Sequence, residues 1–367
     1  MRFVGGAGIV AACVTVLSWP ALAFAGPAVG GVTVSAGPPL TAPPPGVSPH
    51  ADALFFYPRT VTVQVGQPVT WQFFGFHTVT FPGKRRPYPF FVPAGKQPAT
   101  KDAAGQPFWW GGKAPNLVIS PLAILQQGGS SVSDPSQTAS SGLQRIFQST
   151  PKQPPAPYTL VFTKPGVYHY QCAVHPSMHG AVVVVPAGHG VPSVASEQAA
   201  QSALLQKTLA DLKRLQTAKP KKSLKVWVGL GHTATGAEIT AFSPAKLIVH
   251  VGDTVTFANH DQTDIHTVTF GPEKVTAKIE KNFVAPAAGG RFRLSPLGGF
   301  ASEPPGTPVQ YDGSNHGNGY LNAGILAPLG SPASAGPSTF KVTFTKAGTY
   351  HYECVIHQNM DGTIVVH

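Results

Sequence analysis

The chain has 367 residues, of which 11% are Asp, Glu, Lys or Arg, and it holds 40 glycines and 38 prolines. This composition favours short strands and loops over long amphipathic helices, and the length allows two or three domains. The formal charge of +11 comes from dispersed basic residues, whose one dense cluster is "KPKK" at 219–222. A dispersed charge argues against a nucleic-acid-binding protein and indicates a solvated surface, with a preference for acidic partners as the weaker interpretation.

The N-terminus has the pattern of an export signal. Arg2 precedes an apolar run, and the small residues of "ALAFA" allow cleavage after Ala25. We therefore predict a signal peptide over residues 1–25 and a mature protein that is periplasmic or extracellular. The apolar run is too short, and with Pro20 too interrupted, for a stable membrane span, and we expect none in the mature chain. "VAAC", which ends at Cys13, resembles a lipoprotein cleavage box and is the alternative.

Two pairs of segments in the chain resemble one another. "YPRTVTVQVGQPVTWQFFGFHTVTF" at 57–81 parallels "SPAKLIVHVGDTVTFANHDQTDIHTVTF" at 243–270, where three extra residues precede the final histidine. "GVYHYQCAVHPSMHGAVVVV" at 166–185 parallels "GTYHYECVIHQNMDGTIVVH" at 348–367. The order of the segments is the same in both halves, so the chain is expected to contain two copies of one domain.

Within each copy, apolar and polar residues alternate, with β-branched residues between Gly and Pro, which is typical of β-strands. We predict an all-β fold of two tandem Greek-key β-sandwich domains, over 26–187 and 223–367, joined by a linker at 188–222. Long inserts rich in Pro, Gly and Ser, at 82–157 and 271–337, interrupt this rhythm. Loops of that length are usually functional or poorly ordered, and the aromatic residues here predict partial packing on the domains.

The repeated motif Tyr-His-Tyr-x-Cys-x-x-His-x-x-Met supplies a thiolate, an imidazole and a thioether around one tight loop after a strand. A second imidazole comes from the histidine that opens "HTVTF", if the fold brings its strand alongside. A zinc site rarely accepts a neutral thioether, whereas two histidines, a cysteine and a weak axial methionine are the ligands of a blue (type 1) copper site. A disulfide between the two cysteines is the alternative in an oxidising compartment. The predicted copper ligands are His77, Cys172, His175 and Met178 in the first copy, and His266, Cys354, His357 and Met360 in the second.

Each copy resembles a cupredoxin of the plastocyanin–amicyanin type. The resemblance covers the "VxVGDTVTF…HTVTF" part, the Gly-x-Tyr-x-Tyr-x-Cys-x-x-His-x-x-Met part and the last strand, and the short spacing after the cysteine is similar to the ligand loop of amicyanin. It implies that the histidines and the cysteine are equatorial copper ligands and that Met178 and Met360 are axial. Thr78 and Thr267 stand where many relatives have Asn, which leaves open the hydrogen bond from this position to the cysteine strand.

The same resemblance bears on enzyme activity. Multicopper oxidases and copper nitrite reductases also contain tandem cupredoxin domains, but they need a histidine beside the type 1 cysteine. Here the neighbours are Gln171 and Ala173, or Glu353 and Val355. We therefore predict an electron carrier rather than an enzyme, with two type 1 copper sites that exchange single electrons with a redox partner protein.

The loop histidines His175 and His357 are the expected exposed exits for the electron. Three other functions stay open at this point. One is copper storage or delivery, which the total of three methionines disfavours. Another is a copper oxidoreductase with an atypical second site, and the third is that one copy has become structural or serves oligomerisation.

Structural roles are expected for several further residues. His169 and His351 precede the cysteines by three and therefore point to the opposite face of the strand, so they are expected to be surface or packing residues rather than ligands. "SNHGNG" is interpreted as a turn, and Trp109 and Trp110 as packing residues of the first insert. The linker contains the one clear amphipathic helix of the sequence, at 196–216, with leucines at helical spacing.

Overall fold

The computed structural model describes residues 31–40, 43–84, 90–96, 101–108, 115–143, 153–175, 177–287, 291–304 and 308–367. The predicted signal peptide and the two tryptophans Trp109 and Trp110 lie outside the described residues. Strands dominate the described part and helices are few, so the predicted all-β class is confirmed.

The strands of the first half are short and end at Gly, Pro or a polar turn, as their composition requires. They are β1 Val32–Ala36, β2 Ala51–Ala53, β3 Phe56–Tyr57, β4 Thr60–Gln64, β5 Pro68–Phe73, β6 Thr80–Phe81, β7 Phe91–Lys96, β8 Pro115–Ile119, β9 Ser131–Val132, β10 Ala139–Ser140, β11 Tyr158–Phe162, β12 Gly166–Gln171 and β13 His179–Val185. One helical turn, α1, spans Pro121–Ile124, and the connecting helix α2 spans Val194–Leu215.

The second half repeats this pattern with slightly longer strands. They are β14 Lys225–His232, β15 Ala237–Ser243, β16 Lys246–Val249, β17 Thr254–Asp261, β18 Thr269–Phe270, β19 Val284–Ala287, β20 Arg291–Leu294, β21 Val309–Tyr311, β22 Leu321–Asn322, β23 Thr339–Phe344, β24 Gly348–Glu353 and β25 Asp361–Val366. Its helices are α3 Glu273–Lys281 and α4 Pro296–Gly299.

The two halves have the same strand order in their main sheets. One sheet runs β3-β1-β5-β11-β9 in the first half and β15-β14-β17-β23-β21 in the second, and β1 is parallel to β5 as β14 is to β17. The other sheet runs β10-β6-β12-β13-β4 and β22-β18-β24-β25-β16. We call the two resulting pairs of sheets the first and the second sandwich. Strand β2 leaves the first sandwich and pairs antiparallel with β15 of the second.

An aromatic residue on equivalent strands lies at the centre of each sandwich. Trp71 on β5 and Phe257 on β17 are fully buried. Each ring packs edge-on against a tyrosine of the strand that leads to the cysteine, with centroids 5.3 Å apart for Tyr170 and 5.1 Å apart for Tyr352. Such pairs contribute about 0.5–1.5 kcal/mol beyond the burial of their area. The aromatic core thus fixes the two strands whose ends carry the candidate ligands.

The inserts are more regular than the sequence predicts. Strands β7 and β8 of the first insert join β19 and β20 of the second in a four-stranded sheet of order β19-β20-β8-β7. The inserts also meet through His316, which contacts the carboxylates of Asp102 and Glu303. The expectation of partial packing on the domains therefore holds, but the inserts pack on one another as well. "SNHGNG" forms a tight turn over Asn315–Gly317, in which the Gly317 N–H donates to the Ser314 carbonyl at 2.8 Å, as predicted.

Helix α2 agrees with the predicted connector to within two residues at its start. Ser193 is its N-cap, with a side chain that accepts a hydrogen bond from the Ser196 N–H, and this satisfies a backbone donor that the helix leaves free. The helix contacts both sandwiches, through a Tyr57–Thr208 hydroxyl pair at 2.9 Å and through Asp211 with the second sandwich. Within the described residues, no helix is long and apolar enough to cross a membrane.

Candidate metal centres

The cysteine of each motif stands directly after a strand and begins a tight loop. In the first sandwich, the Cys172 N–H donates to the Met178 carbonyl at 2.9 Å, and the Met178 N–H donates to the His175 carbonyl at 3.0 Å. In the second sandwich, the same pair of bonds joins Cys354, Met360 and His357, at 2.9 and 3.4 Å. These backbone hydrogen bonds join the two ends of the loop. They fix its conformation and therefore the positions of the side chains it carries.

The first centre brings together a thiol and two imidazoles. His77 lies just before β6, beside the loop, and its Nδ1 is 3.1 Å from Nδ1 of His175. The Cys172 Sγ is 3.6 Å from the same His175 atom. One donor atom from each of these residues lies within 4.8 Å of the others, and all three residues are buried. The structure therefore brings three of the four predicted ligands to one point.

The second centre has the same arrangement. Nδ1 of His266 is 3.1 Å from Nδ1 of His357. The Cys354 Sγ lies 3.6 Å from His357 Nδ1 and 4.0 Å from His266 Nδ1. These three residues also form a group that could hold a metal ion. In both centres it is Nδ1 of each histidine that faces the sulfur.

The predicted axial residues are buried beside these groups. Met178 belongs to the same core cluster as Cys172, and Met360 to the same cluster as Cys354. Both cysteines are free, buried thiols, so the disulfide alternative is wrong. A buried thiol with two imidazoles and a thioether in the adjoining core is a soft donor set, which fits copper better than zinc or a hard cation.

Thr78 and Thr267 make the hydrogen bond to the cysteine strand whose presence the resemblance to cupredoxins leaves open. The Thr78 N–H points at the Cys172 sulfur at 3.4 Å, and its hydroxyl accepts from the Ala173 N–H at 2.7 Å. In the second centre the Thr267 N–H lies 3.3 Å from the Cys354 sulfur, and its hydroxyl accepts from Val355 at 2.9 Å. A threonine can make this contact because its hydroxyl oxygen is an acceptor, as an amide oxygen is.

The cysteines are prepared as thiolates. Burial alone raises the pKa of Cys172, but the charge of His175 and hydrogen bonds from His175 and His77 outweigh it and hold the pKa well below its usual range. The same balance lowers the pKa of Cys354 beside its own two histidines. A thiolate is the form that binds a metal, so each centre stabilises the ligand in its binding state.

Carboxylates that the ligand motif does not predict lie beside the histidines of the second centre. Asp261 Oδ2 is 3.3 Å from Nε2 of His266, and Asp264 Oδ2 is 3.2 Å from Nε2 of His357. Glu238 is buried nearby, and burial together with the charge of Asp261 raises its pKa well above its ordinary value. The signal was present in the three extra residues of "NHDQTDIH", which bring two aspartates close to the ligand histidine. A carboxylate that accepts from the far nitrogen of a ligand histidine orients the ring.

The loop histidines are more enclosed than the sequence predicts. His175 is 7% exposed. Residues of both inserts pack on Ala173 and Val174 of its loop, and Asp264 of the second sandwich lies 3.9 Å from its Nε2. Val355, in the second loop, packs against Ile279 and Tyr320 of the second insert. His357 keeps 19% of its side chain exposed. The expectation of an exposed electron exit at His175 is therefore wrong, since the inserts and the second sandwich pack around its loop.

Four histidines outside the centres have other surroundings. His169 and His351 are exposed, as predicted. His260 stacks on Trp227 with ring centroids 4.0 Å apart. His316 lies between the carboxylates of the two inserts, as described above. None of these four belongs to the groups of metal-binding donors found among the described residues.

No protein-family model and no curated protein sequence matches this chain. Among solved structures, a methionine-to-alanine variant of amicyanin in its Cu(I) form is 23% identical, with 34% of this chain and 70% of that chain covered and a TM-score of 0.18. A reduced tryptophan-to-tyrosine variant of amicyanin is 20% identical, with 40% and 85% covered and a TM-score of 0.21. TM-scores of this size do not define a fold, which here is defined by the strand order and register given above.

Proposed function

We propose that this protein is an exported electron carrier with two blue copper centres. The observation that carries the proposal is that each sandwich places a buried cysteine with a lowered pKa against Nδ1 of two histidines, with a methionine in the same core. Copper bound by this donor set supplies a one-electron Cu(I)/Cu(II) couple. The proposed ligands are His77, Cys172, His175 and Met178, and His266, Cys354, His357 and Met360.

The enclosure of the centres favours a carrier over a protein that stores or delivers copper. Both cysteines and both methionines are buried, and the loops that hold them are closed by backbone hydrogen bonds. A site that changes little in shape suits a metal that changes only its oxidation state, whereas delivery needs ligands that can be handed over. The histidine-free neighbours of the cysteines also favour a carrier over an oxidase or a nitrite reductase.

Two further parts of the proposal follow from the sequence. We propose a signal peptide over 1–25, domains over 26–187 and 223–367, and a linker over 188–222, with a periplasmic or extracellular mature protein. The identical strand order of the two sandwiches supports the division into two domains of one kind. The redox partner is expected to be acidic at its docking surface because the chain carries a formal charge of +11.

The test is a visible absorption spectrum with copper quantification on copper-loaded protein, beside Cys172→Ser and Cys354→Ser. We expect two coppers per chain and an intense thiolate-to-copper band, of which each substitution removes about one half because it removes one of two equivalent thiolates. Replacements of the two exposed strand histidines, His169→Ser and His351→Ser, are the matched controls and should leave the band unchanged. Two coppers without an intense band would contradict the blue copper assignment, and one copper would make the other sandwich structural.

A further inference from the structure

One carboxylate lies between the loop histidines of the two centres. Asp264 Oδ2 is 3.2 Å from Nε2 of His357 in the second centre and 3.9 Å from Nε2 of His175 in the first. Asp264 and His175 are each 7% exposed, so the contact is shielded from solvent. The loops around it also touch, since the Ser177 hydroxyl donates to the Thr263 carbonyl at 3.3 Å. The two centres are therefore neighbours across the contact between the sandwiches.

The orientation of the rings makes this contact direct. In both loop histidines Nδ1 faces the cysteine sulfur, and Nε2 faces Asp264. The two Nε2 atoms can be no farther apart than the sum of their distances to the one oxygen that they share. The Nε2 edge of each ring thus points to the other centre, and the Asp264 carboxylate contacts both edges.

Asp264 is held in place by its own loop. Its Oδ1 accepts from the Ile265 N–H at 2.6 Å, and its backbone carbonyl accepts from the Asn259 side chain at 3.1 Å. Its backbone N–H donates to Asp261 Oδ1 at 3.2 Å. These bonds leave Oδ2 for the histidines.

We propose that Asp264 is a positioning residue shared by both copper centres, and that its single negative charge shifts the oxidation equilibrium of both. The proposal rests on the proposed function. A negative charge beside a ligand histidine stabilises the more positive Cu(II) state, and one carboxylate that serves two histidines does so for both centres.

Copper held by these residues would supply a one-electron couple, in which the electron lost by one centre would be taken up by a redox partner or by the other centre. No atom or proton is transferred, and no bond within the chain is made or broken. The contact of His175 and His357 through Asp264 also provides a short path inside the chain for this electron.

The experiment is a spectroelectrochemical titration of the copper-loaded full chain and of Asp264→Asn, in which asparagine keeps the size and the acceptor oxygen but loses the charge. We expect both centres to shift towards Cu(I), on the order of tenfold at the second centre and less at the first, whose contact is longer. Asp261→Asn is the matched control, because Asp261 contacts His266 and no ligand of the first centre among the described residues; it should shift the second centre alone. The Cys172→Ser and Cys354→Ser chains assign each potential to its centre.

Two further measurements make the result decisive. Asp264→Glu restores the charge and should restore part of both shifts, which a purely structural role does not predict. Dipolar coupling between the two Cu(II) ions, measured by pulsed electron paramagnetic resonance, should report neighbouring centres in the wild-type chain. A shift confined to one centre in Asp264→Asn would overturn the proposal while leaving the proposed function intact. Absence of two blue bands in the wild-type chain would instead overturn the proposed function.

Discussion

The two candidate centres share their ligands but differ in what faces the far side of the upstream histidine. In the first centre Nε2 of His77 is buried and has no hydrogen-bond partner among the described residues. In the second, Nε2 of His266 faces Asp261 at 3.3 Å. The difference comes from three residues of extra sequence before the second histidine, which place carboxylates where the first copy has a short turn with Phe76. The same ligand set can therefore hold two coppers of different potential, because nearby charge, and not the ligands alone, sets the balance of oxidation states.

In each centre a glycine packs against the upstream histidine, His77 or His266. Replacing this glycine is expected to have the largest effect on the comparison. Gly37 directly follows β1 and Gly229 lies at a register irregularity within β14; both have positive φ, +88° and +67°. A Cβ at Gly229 would overlap with Nε2 of His266, whereas at Gly37 it would overlap with the Phe74 carbonyl oxygen and lie 3.0 Å from His77. The overlap at Gly229 is with a side chain that can move, and the overlap at Gly37 is with backbone that cannot.

We therefore expect Gly229→Ala to displace His266 and abolish copper binding at the second centre, while Gly37→Ala destabilises the first sandwich as a whole. Copper content, the visible band and denaturant unfolding measure the two effects. Gly252→Ala and Gly66→Ala are the controls: they share the positive φ, whose cost is about 1–2 kcal/mol, but a Cβ there meets nothing within 4 Å. Retention of both coppers in Gly229→Ala would show that the centre tolerates a moved histidine.

The second test concerns the threonines beside the cysteines. Thr78→Val and Thr267→Val each leave a buried N–H, of Ala173 or Val355, without its acceptor, which costs about 1–3 kcal/mol of unfolding free energy. Thr78 also contacts the Thr80 hydroxyl at 3.2 Å, so we expect the larger loss in the first sandwich. Thermal unfolding of the metal-free chain measures both losses. Thr78→Ser and Thr267→Ser keep the hydroxyl and should lose much less; equal losses from valine and serine would assign the effect to packing.

Much of the fold could be predicted from the sequence because it depends on local pattern. Alternation of apolar residues located the strands that carry the cysteines, and the spacing after Cys172 and Cys354 brought histidine and methionine onto one loop. The connector helix was also found, because leucine periodicity and its cap are local. Helix α3, over Glu273–Lys281, was not predicted, since its segment lies in an insert that reads as loop.

The rest depends on contacts between distant segments. Nothing in the composition of either insert shows that β8 pairs with β20, because each insert supplies only part of that sheet. For the same reason the burial of His175 was missed, since it requires both the inserts and the second sandwich to pack around the loop. The role of Asp264 was missed because it arises only when the two sandwiches meet. Local pattern thus located the ligands, and the long-range contacts decide their surroundings.

The last test concerns the connection between the sandwiches, away from both centres. Asp211 on α2 is 8% exposed and accepts hydrogen bonds from Thr235 at 2.6 Å, from Arg214 at 2.6 Å and from His232 at 2.8 Å. Burial raises the pKa of Asp211, but these hydrogen bonds outweigh it and hold the pKa below its ordinary value. The aspartate is therefore more acidic in the folded chain than in the unfolded chain. Its contribution to stability is present above the unfolded pKa of about 4 and is lost as the pH falls through the lower folded value.

We expect Asp211→Asn to reduce the free energy of unfolding at pH 7 by about 1–3 kcal/mol, the usual cost of weakening charge-assisted hydrogen bonds in a buried position. Because protonated aspartic acid resembles asparagine, the difference between variant and wild type should shrink as the pH falls below about 4. Denaturant unfolding across pH measures this, with the exposed Asp361→Asn as the control. A difference that stays constant down to acid pH would assign the role of Asp211 to shape rather than charge. Helix α2 contacts both sandwiches, so the same variant tests whether its attachment to the second sandwich keeps the two centres close together. If it does, Asp211→Asn weakens the dipolar coupling between the two Cu(II) ions as well as the stability.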